Sequence, residues 1–215
     1  GTGALGDMAC HTANMAFMAL KLGHPISVES KDVIGLNSET YPNQAHIIYQ
    51  FPARGDMAAL TFHWYEGQYR GKKMLPPKSL LSKVLKAGEE LSDSGSLLVG
   101  DKGILFSPND YGAAYRLIGD GLDEAAKNVK ESLPRNGRGD EGQKEEWVRA
   151  IMDGKPEVAL SNFGYAGMLT ETILLGNAAI KAGKKLEWDG PSMKFTNDSA
   201  ANQLLHYEYR KGWTL

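Results

Sequence analysis

The chain has 215 residues, 42% of them hydrophobic and 23% charged, with a formal net charge of −2. This is the composition of a globular domain long enough to bury a proper core, and its charge offers no general attraction to nucleic acid or an anionic membrane. No apolar run approaches the length of a bilayer span, and a single cysteine, Cys10, excludes an internal disulfide and a cysteine-based zinc site.

The first six residues, GTGALG, place Gly1, Gly3 and Gly6 in the G-x-G-x-x-G spacing of a dinucleotide-binding loop, with Glu29 near the position of a ribose-binding acid. Such a loop turns the chain from a buried strand into a helix whose N–H groups face a pyrophosphate. No strand precedes Gly1, and the later segments do not alternate strand and helix. The glycines are therefore read as a lead-in to a helix and not as a cofactor cradle. A start without Met, at a loop-to-helix junction, reads as the edge of a fragment.

An Ala- and Met-rich amphipathic helix is expected over 7–22, stopped by Gly23 with Pro25 beyond. ISVESKDVI (26–34) alternates as a strand. AHIIYQF (45–51) and MAALTFHWY (57–65) follow as two strands joined by the turn signal PARGD. On the second, Leu60, Phe62 and Trp64 face one way, and Thr61, His63 and Tyr65 the other. Residues 67–94, rich in Lys, Pro and Gly, read as an excursion from the sheet. SLLVG and ILFSP form a tight hairpin around Asp101–Gly103, and YRLIG is a further short strand. The turn-rich stretch 134–143 leads into a helix over 144–153, and a second helix is expected over 165–182. KKLEWDG and MKFTN are short extended pieces, and SAANQLLHYEY is a last helical turn or two. Consecutive hairpins with helices at both ends describe an α+β fold with an open, mainly antiparallel sheet. Arg-Gly-Asp occurs at 54–56 and 138–140, in both cases as turn chemistry, and Asn197-Asp198-Ser199 is a sequon relevant only in a glycosylating host.

Asp7 and His11 carry the candidate chemistry. Four residues apart, they share one helical face. Histidine titrates near neutrality and accepts the proton of an alcohol being oxidised, while a nearby carboxylate orients it. Spacing alone leaves other readings open: Asp7 as a helix N-cap, His11 as an ordinary exposed residue, or a metal site. For a metal no third ligand is evident, since His24, His46, His63 and His206 are scattered. Cys10 reads as a small core thiol.

GALGDMACH resembles the D-x-x-x-H segment that opens the C-terminal domain of the Gfo/Idh/MocA oxidoreductases. The resemblance continues through FPARGDMAALTFHWYEG, SLLVGDKGILF, EEWVRAIMDGKP, NFGYAGMLTETILLGNAAIKAGKKLEWD and YEYRKGWTL. It looks closest to the sugar-acting bacterial subgroup. It implies that residues 1–215 are a substrate-binding and dimerisation domain with helices on one face of the sheet, and that an N-terminal Rossmann domain, absent from this chain, binds NAD or NADP and supplies a lysine. By resemblance His11 is the acid/base acting on a hydroxyl of a sugar, glycoside or polyol, and Asp7 positions it or binds a neighbouring hydroxyl. No cofactor or metal is expected on this chain itself. The partner implied is a second copy, paired through the sheet face left open by the helices; no nucleic acid or membrane partner is expected. Two alternatives share the fold: NAD-dependent glycoside hydrolysis, and a non-catalytic carbohydrate-binding or dimerisation module. Many relatives carry Gly and Asp where this sequence has Ala9 and Asn14, which bears on substrate choice. The compartment stays open between cytoplasm and, with a twin-arginine signal upstream, periplasm.

Overall fold

The computed structural model describes residues 1–135 and 138–213. Asn136 and Gly137 of the expected turn, and Thr214 and Leu215 of the terminal segment, lie outside the described residues.

The chain begins with α1 (Gly3–Thr12) and α2 (Asn14–Ala19) in place of the single helix expected over 7–22, starting earlier and ending earlier than expected. The interruption at Ala13 coincides with a long-range hydrogen bond. The Thr12 carbonyl, which an unbroken helix would offer to the Ala16 N–H, accepts from Ser96 Oγ at 2.9 Å. Next come β1 (Ser27–Ile34), β2 (Gln44–Phe51) and β3 (Leu60–Tyr69). The β2–β3 turn is the expected one, with Arg54 and Met57 exchanging backbone hydrogen bonds of 2.9 Å. β3 starts and ends later than MAALTFHWY.

The excursion holds β4 (Lys72–Lys73) and α3 (Lys78–Val84), a short helix buried through Leu81 and Val84. The hairpin of β5 (Ser96–Val99) and β6 (Ile104–Ser107) follows, then β7 (Arg116–Ile118) and α4 (Leu122–Lys127). α5 (Asp140–Asp153) starts four residues before the expected 144, because Asp140 and Glu141 suit the positive end of a helix. A 3-10 turn (Pro156–Val158) precedes α6 (Phe163–Ala182), whose N-cap Asn162 accepts from the Tyr165 N–H at 3.2 Å. β8 (Leu186–Asp189), β9 (Lys194–Phe195) and a 3-10 turn (Ala201–Leu205) close the described chain.

Six strands form one sheet in the order β4-β3-β2-β1-β8-β9, and β5-β6-β7 form a second. Every pairing is antiparallel. The fold is therefore α+β with a mainly antiparallel open sheet, as the sequence pattern implied. In the register Tyr49↔Phe62 and Ile47↔Trp64 the apolar residues share one face, and α6 covers it with Leu169, Ile173, Ala179 and Ile180 while α1 adds Leu5 and Ala9. The other face carries His46, Ile48, His63 and Tyr65, and among the described residues no helix packs on it. Beyond its short pairing with β4, β3 has no partner strand among the described residues along that edge; a groove of about 1710 Å³ lies between the edge, α1 and the second sheet.

Candidate functional site

α1 owes its position to its buried side. Leu5, Ala9 and Thr12 are buried, so the helix can roll little, and Asp7 and His11 are carried to the exposed side one turn apart. No hydrogen bond links the two. Cys10, half-buried against the core, donates its Sγ–H to the Asp7 carbonyl at 3.2 Å. The large groove lies elsewhere: α1 turns Ala4, Met8 and Thr12 towards it, and neither Asp7 nor His11 lines it.

A third side chain joins the pair. Tyr111, in the loop between β6 and β7, meets the His11 imidazole in a T-shaped contact, with centroids 5.6 Å apart and planes at 85°. Sequence spacing could not reveal this neighbour, which comes from a loop a hundred residues away. The only signal was the run Asn109-Asp110-Tyr111-Gly112, whose turn chemistry marks a tight, specified loop.

The two positions that differ from the resembled pattern both have structural partners. Ala9 is fully buried in the core. Asn14 accepts a hydrogen bond from the Tyr165 hydroxyl on α6, and burial pushes that phenol up to about 12.

The opening glycines do not form a phosphate cradle. A Cβ on Gly6 would sit 2.0 Å from Thr2 Oγ1, and one on Gly3 would sit 2.8 Å from Tyr41 Cβ. At both glycines a side chain would meet the chain's own Thr2 or Tyr41. Among the described residues no group of three His, Cys, Asp or Glu could hold a metal ion, and no helix is long and apolar enough to cross a membrane.

Both Arg-Gly-Asp triplets are used internally. Arg54 donates to the carbonyls of Leu20, Pro52 and Ala58, and Arg138 pairs with Glu141 and Glu145 at the start of α5. The sequon asparagine, Asn197, accepts from the Glu187 N–H at 2.9 Å and donates to the Lys185 carbonyl at 3.1 Å.

The sequence matches no protein-family profile and no curated protein. Several solved structures are similar in part, two of them as follows. One is assigned as a dehydrogenase from Bordetella bronchiseptica RB50, at a TM-score of 0.48 and 13% identity over 86% of this chain and 55% of that one. The other is an oxidoreductase from Sinorhizobium meliloti, at a TM-score of 0.42 and 14% identity over 89% of this chain and 51% of that one. The chain spans about half the length of each.

Proposed function

We propose that this chain is the substrate-binding and catalytic half of an NAD(P)-dependent oxidoreductase acting on a hydroxyl of a sugar, glycoside or polyol. The observation that carries the reading is the exposed face of α1. Asp7 and His11 stand there one turn apart, on a helix otherwise fixed in the core, with an aromatic ring against the imidazole. The extended motif resemblance gives this face its chemical meaning.

On this reading one nitrogen of His11 accepts the substrate hydroxyl's proton as the carbon becomes a carbonyl, and returns it in the reverse direction. Asp7 accepts a hydrogen bond from a neighbouring hydroxyl or steadies the imidazolium. Hydride uptake is the chemistry of a nicotinamide, which this reading assigns to a domain outside the chain. The protein then associates with a second copy through the open sheet face, where His46, His63 and Tyr65 stack beside Ile48.

The test is turnover of the full-length protein. Replacing His11 with Ala is expected to lower kcat by roughly 10²–10⁴, and Asp7→Asn by less. Unchanged kcat in His11→Ala would overturn the acid/base role and favour a non-catalytic carbohydrate module.

A further inference from the structure

Tyr111 is 72% exposed, yet the loop that bears it is fastened on both sides. The Asn109 side-chain oxygen accepts from the backbone N–H groups of Tyr111 at 3.2 Å and Ala113 at 3.1 Å. The neighbouring Asp110 carboxylate accepts from Thr12 Oγ1 at 3.1 Å and from the Ser94 hydroxyl, which ties the loop to the last turn of α1. On the far side Ser107 Oγ donates to the Ala114 carbonyl at 2.9 Å. Thr12 directly follows His11, so the same network that holds the loop also holds the end of the helix bearing the imidazole. The result is an aromatic ring kept in water at a set place instead of folded into the core. With 72% of Tyr111 exposed beside the T-shaped contact to His11, most of the side chain stays open to a ligand.

An aromatic face carries negative charge density and a large apolar area. The ligand that matches it beside a proton acceptor has polarised C–H bonds on one side and hydroxyls around its rim. A pyranose ring has that form; an open-chain polyol, which presents no fixed C–H face, does not. We propose that Tyr111 is a specificity-determining residue on which the C–H face of a pyranose stacks, presenting a ring hydroxyl to His11. This rests on the oxidoreductase reading given above and narrows its substrate to cyclic sugars or glycosides.

The experiment compares the full-length protein with its Tyr111→Ala, Tyr111→Phe and His11→Ala variants. The probes are the methyl pyranosides of glucose, galactose and mannose, each set against the corresponding alditol. Steady-state kinetics and ligand-observed saturation-transfer NMR are both read. Tyr111→Ala is expected to raise KM for the preferred pyranoside about tenfold, the scale of one aromatic contact. It should leave kcat within roughly threefold, and Tyr111→Phe should restore the wild-type KM because the ring and not the hydroxyl is used. The saturation-transfer signal of the pyranoside should fall in Tyr111→Ala and persist in His11→Ala.

Three results would overturn the platform: an unchanged KM in Tyr111→Ala, equal losses in the Phe and Ala variants, or alditols bound as well as pyranosides. The two readings fail separately. Turnover surviving in His11→Ala, with pyranoside binding lost in Tyr111→Ala, would remove the acid/base role and keep the platform. The converse pattern would remove the platform alone.

Discussion

Glu66 shows how a single side chain can tie the sheet to the helix that bears the candidate site. It lies on β3, 7% exposed, accepting from Trp64 Nε1 at 2.7 Å. Burial raises its carboxyl above the ordinary value of 4.5, against the opposing pull of the Trp64 N–H and the Leu5 backbone N–H in the first turn of α1. A carboxyl raised in the folded state favours folding below its unfolded value, and that contribution is lost as pH rises through the folded value. Wild-type stability should therefore fall relative to Glu66→Gln as pH rises from 4.5 towards neutrality, read from paired denaturant titrations. A difference independent of pH would show that the carboxyl is not held neutral by burial. At this scale the sequence was legible for neighbours along one helix, as in the shared exposed face of Asp7 and His11. It was silent on Tyr111 and Glu66, whose meaning depends on which distant residue the fold brings beside them.

At the scale of elements, α6 lies so close to the sheet that Gly176 leaves no room for a side chain. A Cβ there would lie 2.3 Å from the Tyr49 hydroxyl and 2.6 Å from Leu5 Cδ2. Alanine is the better helix former by about 1 kcal/mol, but overpacking costs roughly 1–3 kcal/mol, so Gly176→Ala should destabilise the fold. Tyr49→Phe alone loses the 2.9 Å bond from its hydroxyl to the Ile173 carbonyl, worth about 1 kcal/mol. Combined with Gly176→Ala it removes the closest collision, so the double variant should be more stable than the two single losses added together. Strict additivity in chemical denaturation would contradict the close packing. The long elements were legible because their periodicity reflects this burial: alternation on β2 and β3, and a broad apolar run on α6. The break at Ala13 was not, since it coincides with a hydrogen bond from a serine hydroxyl about eighty residues away. Nor was α3, whose Lys, Ser and Pro neighbours mask the two side chains, Leu81 and Val84, that bury it.

For the molecule as a whole, the consecutive hairpins were legible, but the division of the strands into sheets of six and three was not. Nothing in local sequence says that β3 stops pairing after β4. The open face of the larger sheet bears His46 and His63, with Nε2 and Nδ1 2.9 Å apart. Burial lowers both from the ordinary 6.5. His63 and Lys31 press His46 further down while Asp32 and Glu29 pull it up, and Lys31 also lowers His63. Groups depressed in this way favour the folded face above 6.5 and lose that contribution as pH falls. If the face pairs with a second copy, sedimentation should show a dimer at pH 7.5 that dissociates towards pH 5.5, and His63→Gln should flatten that dependence. A monomer at pH 7.5 and tens of micromolar, or a dimer insensitive to both acid and His63→Gln, would exclude this face as the contact.

The reach of α6 also sets an order of events. From α6 the Asn177 Nδ2–H donates to the Thr2 carbonyl at 2.6 Å and the Tyr165 hydroxyl to Asn14, while Glu171 pairs with His24 at 2.9 Å and the Ala179 carbonyl accepts from Ser30 Oγ at 3.0 Å. All four partners belong to the first thirty residues of the chain. During synthesis those residues and the hairpins after them leave the ribosome well before α6 does, with their apolar faces still uncovered. Contacts of such long sequence separation form late and slowly, and nascent chains exposing unpaired strands and apolar surface are the ones that aggregate. This fold therefore closes only once α6 has emerged, and until then the growing chain carries that apolar surface uncovered.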